Sequence, residues 1–173
     1  MNVAASCGWA KHIVEEFRSA VRFGFSGIHM DTYGFPKRIW DAEHRPVELA
    51  DEFPHLINAA AQAVREEAAD GGVIFNAVNN WPTETVAAAA QDAVYIEVWP
   101  PHDTYFDLYR LIREARLLSH RNVILAAYLK AFQGEDMDAA ERSFRLAWAV
   151  ISASGGTQLV LGENRSLLRD SYY

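Results

Sequence analysis

Short apolar segments alternate with longer segments of helical period along most of this chain. The apolar segments have the length and composition of buried strands, and they cover residues 27–31, 73–79, 94–99, 122–129 and 157–161. Between and before them, apolar side chains recur every three or four residues. The helices predicted from this spacing cover residues 9–21, 49–69, 83–91, 104–119 and 137–152. The alternating order predicts an α/β fold with a parallel sheet.

The composition agrees with a folded domain and narrows the range of partners. The chain has 173 residues, of which 50% are hydrophobic, and this is enough to bury a sizeable core. Its 16 basic and 23 acidic residues give a formal net charge of −7. Nucleic acids and anionic membranes attract basic surfaces, and no apolar run reaches the roughly 18 residues of a membrane span. We therefore expect neither a nucleic acid nor a membrane as a partner.

Five such strands fit either a doubly wound sheet or part of a (β/α)₈ barrel. Polar side chains stand at the ends of successive strands, as they do at the active-site end of a barrel. They are Asp31, Asn76, Asn79, Glu97, Tyr128, Lys130 and Glu163. No glycine-rich phosphate-binding turn follows a strand, as one would in a dinucleotide-binding sheet. We therefore predict an incomplete parallel barrel of the TIM type, with residues 1–173 forming one partial catalytic domain.

Glu97 and Asp31 are the strongest candidates for catalysis. Glu97 lies in an otherwise apolar strand, where a carboxylate is costly to bury without a partner or a purpose. Asp31 ends another strand, and each carboxylate has an aromatic residue two positions further on, Tyr33 and Trp99. Paired carboxylates that flank a cleft are typical of glycoside hydrolysis. The alternative interpretations are a structural salt bridge for Glu97 and a turn-forming role for Asp31.

Other kinds of chemistry have less support in the sequence. The six histidines form no closely spaced ligand pair, and the single cysteine, Cys7, excludes a cysteine-built zinc site and an internal disulfide. No Gly-x-Ser-x-Gly motif is present. We therefore predict no metal and no cofactor. A barrel lyase or isomerase that uses one carboxylate remains an alternative, but it predicts a metal or phosphate site for which we find no motif.

Three stretches of the sequence resemble glycoside hydrolase family 66, the endo-dextranases and cycloisomaltooligosaccharide glucanotransferases. They are GFSGIHMDTYG (24–34), FNAVN (75–79) and YIEVW (95–99). The segment 162–173 also resembles the stretch that follows the last barrel strand in that family. The resemblance implies a (β/α)₈ barrel that cleaves α-1,6-linked glucan, dextran or isomaltooligosaccharides, with retention of configuration.

The resemblance also implies roles for individual residues. Asp31 matches the nucleophile of the family, at the end of the fourth strand, and Glu97 matches its acid/base, at the end of the sixth. Asp31 would form a covalent glucosyl ester while Glu97 protonates the departing oxygen, and Glu97 would then deprotonate water or an acceptor sugar. We expect further substrate contacts from residues at the same ends of strands, namely His29, Asn76, Asn79, Trp99, Asp103 and Tyr128.

If Asp31 ends the fourth strand, the chain contains only about strands 4 to 8 of the barrel. We therefore expect it to be part of a longer enzyme, extracellular because dextran is extracellular, although its own N-terminus has no pattern of a signal peptide. A half-barrel would expose two sheet edges. One alternative function is therefore an inactive module that self-associates through these edges. A cyclising glucanotransferase is another alternative, because the sequence does not distinguish hydrolysis from cyclising transglycosylation.

Overall fold

A computed structural model of the chain describes Ala4 and residues 7–160, without the side chain of Gln133. Glu163 and the segment 162–173 lie outside the described residues. The helices are α1 (Gly8–Phe23), α2 (Leu49–Glu67), α3 (Thr83–Val86), α4 (Tyr105–Ser119) and α5 (Met137–Ala153). The strands are β1 (Gly27–Met30), β2 (Arg38–Trp40), β3 (Pro46–Glu48), β4 (Gly72–Asn76), β5 (Ala93–Val98), β6 (Val123–Ala127) and β7 (Gly156–Gln158). None of the described helices is long and apolar enough to cross a bilayer.

The main sheet contains five parallel strands in the order β1-β4-β5-β6-β7. This order follows the chain without a reversal. Because crossovers between parallel strands are right-handed, a sheet without a reversal carries its helices on one face. The structure agrees, since each helix from α1 to α5 packs against the next one along the chain. The predicted α/β fold class is confirmed, and the sheet is consistent with part of a barrel.

The core lies between this helical layer and one face of the sheet. Alternate strand residues such as Val73, Phe75 and Leu125 are 0–1% exposed on that face. The ring of Phe75 lies 5.0 Å from that of Phe53 in α2. The intervening residues Ile74 and Ile124, on the opposite face, are only half-buried. One face of the sheet is therefore covered by helices, while the other is left more accessible.

The connection between β1 and α2 contains a feature that the sequence pattern did not predict. Residues 32–47 are rich in aromatic, proline and charged residues, a composition that predicts a loop, but β2 and β3 form an antiparallel pair within this segment, with Ile39 opposite Val47. Both strands have exposed residues at each end and only their central residue partly buried. The prediction of an uninterrupted loop is therefore wrong.

The close approach of β1 and β4 gives a prediction for stability. A methyl group on Gly27 would overlap the carbonyl oxygen of Gly72 in the neighbouring strand. We expect Gly27→Ala to lower the free energy of unfolding by about 2–3 kcal/mol, measured by urea denaturation. Gly8→Ala is the matched control, because a methyl group there meets no atom within 4 Å. Equal stability of both variants would contradict the packing of β1 on β4.

Candidate active site

The ends of β1, β4 and β5 bring three predicted site residues together. Asp31 directly follows β1, Asn76 is the last residue of β4, and Glu97 is the fifth residue of β5. The carboxyl ends of parallel strands meet at one edge of a sheet. Asn76 pairs with Tyr95 in the ladder, and Glu97 lies two residues beyond Tyr95. Because side chains alternate between faces, Asn76 and Glu97 project from the same face.

A single amide nitrogen joins the two carboxylates. The Nδ2 atom of Asn76 donates a hydrogen bond to Asp31 Oδ1 at 2.9 Å and another to Glu97 Oε2 at 3.0 Å. Asn76 is buried, with 4% of its surface exposed, whereas Asp31 is exposed and Glu97 is half-buried. The distance between Asp31 Oδ1 and Glu97 Oε2 is therefore at most the sum of these two hydrogen-bond lengths.

Further hydrogen bonds orient these groups. The backbone N–H of Thr32 donates to Asp31 Oδ1 at 2.9 Å, and the Thr32 hydroxyl donates to the backbone carbonyl of Asn76 at 2.9 Å. The Tyr128 hydroxyl, just after β6, donates to Glu97 Oε1 at 2.7 Å. Thr32 was missed by the sequence reasoning. Its position directly after the candidate aspartate, at the end of a strand, is the signal that would have identified it.

Aromatic rings flank the carboxylates on both sides. Trp99 lies against Tyr128 with ring centroids 4.4 Å apart, and Trp99 is 43% exposed. On the Asp31 side, the rings of His29 and Tyr95 form a T-shaped pair with centroids 4.8 Å apart. The pair Trp99–Tyr128 thus presents an accessible apolar surface beside Glu97, of the kind that suits a sugar ring.

The loop after Asp31 carries a second group of aromatic residues. The ring of Tyr33 stacks on Trp81 at 6.2 Å and packs against Phe35 at 5.5 Å. The ammonium of Lys37 lies 4.1 Å from the centre of the Tyr33 ring, which is within the range of a cation–π interaction. Partial burial raises the pKa of the Tyr33 hydroxyl.

Two other predicted substrate contacts lie outside the hydrogen-bonded cluster. Asn79 has a positive φ of 54° and donates from Nδ2 to the carbonyl of Pro100 at 3.3 Å, which connects the loops after β4 and β5. Asp103 is exposed in the loop before α4, and none of the hydrogen bonds around Asn76 involves it. The roles of all the predicted site residues in catalysis and binding stay predictions.

The described residues contain no group of three or more histidine, cysteine, aspartate or glutamate side chains that could hold a metal ion. At this edge of the sheet the described residues bring together the two carboxylates, the amide of Asn76, hydroxyls and aromatic rings. This set can supply a nucleophile, a proton donor and a surface for a sugar.

The family model of glycosyl hydrolase family 66 matches residues 1–173. The chain belongs to this family. A cycloisomaltooligosaccharide glucanotransferase of Niallia circulans is 30% identical over 133 residues, which cover 72% of this chain and 14% of that protein. A dextranase of Streptococcus salivarius is 29% identical over 143 residues, which cover 73% of this chain and 17% of that protein.

A solved structure from the same family also matches the fold. It is a cycloisomaltooligosaccharide glucanotransferase of Paenibacillus sp. in complex with cycloisomaltoheptaose, with a TM-score of 0.67 and 28% identity. The match covers 72% of this chain and 19% of that one. The resemblance to family 66 inferred from the three sequence stretches is confirmed, and the chain spans less than a fifth of the length of each of these relatives.

Proposed function

We propose that this chain carries the two reacting carboxylates of a retaining glycoside hydrolase that cleaves α-1,6-linked glucan. The observation that carries the proposal is the amide of Asn76, which donates to Asp31 and to Glu97 at 2.9 and 3.0 Å. The nearest oxygens of the two carboxylates, Asp31 Oδ1 and Glu97 Oε2, are therefore closer than the roughly 6.5 Å at which the carboxyl separations of inverting enzymes begin. The arrangement therefore supports direct attack by a carboxylate over attack by an interposed water.

The substrate class rests on the surroundings of the carboxylates and on the relatives. The accessible Trp99–Tyr128 pair offers an apolar aromatic surface for a sugar ring. The relatives are named as a dextranase and as glucanotransferases of cycloisomaltooligosaccharides. We infer that dextran or isomaltooligosaccharides bind along this edge of the sheet.

The proposed reaction is a double displacement. Asp31 attacks the anomeric carbon, and Glu97 donates a proton to the departing glycosidic oxygen. The resulting ester on Asp31 is then attacked by water, from which Glu97 takes a proton. We propose that this chain contributes about strands 4 to 8 of an extracellular enzyme with a complete eight-stranded barrel, and that its own residues supply both reacting carboxylates.

A digestion of dextran tests this proposal. We expect the chain to release reducing ends as linear isomaltooligosaccharides, detected by a reducing-sugar assay and chromatography. Amylose is the matched control substrate, because it has the same glucose units in α-1,4 linkage, and we expect it to remain intact. Equal cleavage of both glucans would contradict the assignment of the substrate.

A cyclising glucanotransferase is a second candidate, favoured by the relatives of Niallia circulans and by the solved complex with cycloisomaltoheptaose. It uses the same carboxylates, but the ester on Asp31 reacts with a sugar hydroxyl of the same glucan chain. Cyclic products without new reducing ends in the dextran digestion would favour this candidate.

A third candidate, from a different class, is an inactive module that self-associates. It is favoured by the half-buried Ile74 and Ile124 on the sheet face without helices and by β1 and β7, the outer strands of the described sheet. Burial of these residues against a second copy would remove apolar surface from water. A stable dimer in light scattering, combined with no cleavage of dextran, would favour this candidate over the hydrolase.

A further inference from the structure

The two oxygens of each candidate carboxylate have different surroundings. Asp31 Oδ1 accepts hydrogen bonds from the Thr32 N–H and from Asn76 Nδ2, both at 2.9 Å. Asp31 Oδ2 accepts none from any residue that the structure describes. In Glu97, Oε2 accepts from Asn76 at 3.0 Å and Oε1 accepts from the Tyr128 hydroxyl at 2.7 Å. Asn76 therefore holds one oxygen of each carboxylate.

The chemistry of the two donors to Glu97 determines where its proton can reside. An amide nitrogen only donates, whereas a tyrosine hydroxyl can both donate and accept. Glu97 Oε2 accepts from Asn76 whether or not the carboxyl group is protonated, and in a protonated carboxyl the carbonyl oxygen is a better acceptor than the hydroxyl oxygen. A proton on Glu97 fits on Oε1, where the Tyr128 hydroxyl can turn and accept.

The burial of Asn76 explains why its amide keeps this orientation. Its Oδ1 atom is buried, and no donor to it is found among the described residues; such an atom is destabilising in a folded protein. Rotating the amide by half a turn would place this oxygen against two carboxylates, which is more unfavourable still because all these groups would then be acceptors. The orientation seen here thus gives each carboxylate a hydrogen-bond donor, while the amide oxygen has no donor among the described residues.

We propose that Asn76 is a positioning residue that selects the reacting oxygen of each carboxylate, Asp31 Oδ2 for attack and Glu97 Oε1 for proton transfer. This inference rests on the proposed function and replaces the predicted role of Asn76 as a substrate contact. Because Oε1 faces Tyr128, the departing sugar is placed on the side of the Trp99–Tyr128 pair.

The bonds of the reaction are then assigned to particular atoms. In the first step a bond forms between Asp31 Oδ2 and the anomeric carbon, the bond from that carbon to the glycosidic oxygen breaks, and the proton on Glu97 Oε1 moves to that oxygen. In the second step the oxygen of water bonds to the anomeric carbon and the ester bond to Oδ2 breaks. The proton released by water returns to Glu97 Oε1.

The variant Asn76→Asp tests this role because it keeps the shape of the side chain and changes its donor. A carboxyl group donates only when it is protonated, so we expect kcat on dextran to fall about 100-fold near neutral pH. Relative to the wild type at the same pH, the activity should recover as the pH is lowered. Asn76→Ala should lose a similar factor in kcat at every pH, with KM changed by less than about threefold.

The matched control is Asn122→Asp, the same substitution at an exposed asparagine before β6, and we expect it to leave kcat and its pH dependence unchanged. Asn76 variants that raise KM and leave kcat unaltered would show that Asn76 is a substrate contact instead. An Asn76→Asp variant whose activity relative to the wild type is the same at every pH would also overturn the proposal.

An NMR measurement tests the bridge separately from catalysis. The side-chain amide protons of Asn76 should shift as the carboxylates of the wild-type chain are titrated, and both Asp31→Asn and Glu97→Gln should change that response. If the resonance behaves in this way but dextran is not cleaved, the proposed function fails and the bridge stands. If the resonance is insensitive to both substitutions, the bridge is wrong, whatever the activity of the chain.

Discussion

Replacing Asp31 by asparagine is expected to abolish the cleavage of dextran, with a loss of at least about 10⁴-fold in kcat. Asparagine has the same shape and still offers an oxygen to Asn76, but its neutral amide does not form an ester with the anomeric carbon. Asp31 is exposed, and among the residues that the structure describes it accepts hydrogen bonds only from Thr32 and Asn76. We therefore expect the melting temperature to change little. The measurement is the release of reducing ends, combined with thermal unfolding of the same sample.

The matched control for this variant is Asp138→Asn, which makes the same change at an exposed aspartate in the first turn of α5. We expect it to retain full activity, because Asp138 lies outside the carboxylate cluster. If Asp31→Asn kept more than about a tenth of the wild-type rate, another group would have to be the nucleophile.

Replacing Glu97 by glutamine is expected to have an effect that depends on the leaving group. On dextran the sugar oxygen needs a proton as it departs, and we expect kcat to fall by about 10²–10⁴-fold. On α-isomaltosyl fluoride the fluoride departs without one, so the loss in the rate of ester formation should be much smaller. Release of reducing ends and release of fluoride measure the two reactions.

The control for the second variant is Glu84→Gln, an exposed glutamate in the first turn of α3, and we expect it to react with both substrates like the wild type. Equal losses on dextran and on the fluoride would contradict the role of Glu97 as a proton donor. They would indicate that Glu97 acts by positioning neighbouring side chains, for instance Tyr128, which donates a hydrogen bond to it.

The main sheet could be predicted from the sequence because its strands are marked by apolar runs between amphipathic helices. No residue of β4 or β5 is exposed, and continuous apolar runs are typical of parallel strands that are shielded on both faces. The pair of β2 and β3 has no such signal. Its residues are mostly exposed, and its pairing depends on the path of the loop rather than on a hydrophobic pattern.

The candidate site could be predicted only as a set of strand ends. The positions of Asp31 and Glu97 follow from the rule that parallel strands present their carboxyl ends at one edge. The bridging hydrogen bonds could not be predicted, because they depend on the register that pairs Asn76 with Tyr95 and leaves Glu97 two residues further on. The position of Thr32 directly after Asp31 marks it in the sequence, but the partner of its hydroxyl, a backbone carbonyl of another strand, depends on the same register.

A covalent adduct on Asp31 is the most direct test of the central claim, that Asp31 and Glu97 act as a retaining pair. The chain is incubated with 5-fluoro-α-glucosyl fluoride, which forms the ester readily and loses it slowly, and its peptides are then analysed by mass spectrometry. We predict one added fluoroglucosyl group on the peptide that contains Asp31, formed in the wild type and in Asp138→Asn. A digest in which the Asp31 peptide remains unlabelled, while another carboxylate carries the group, would contradict the account.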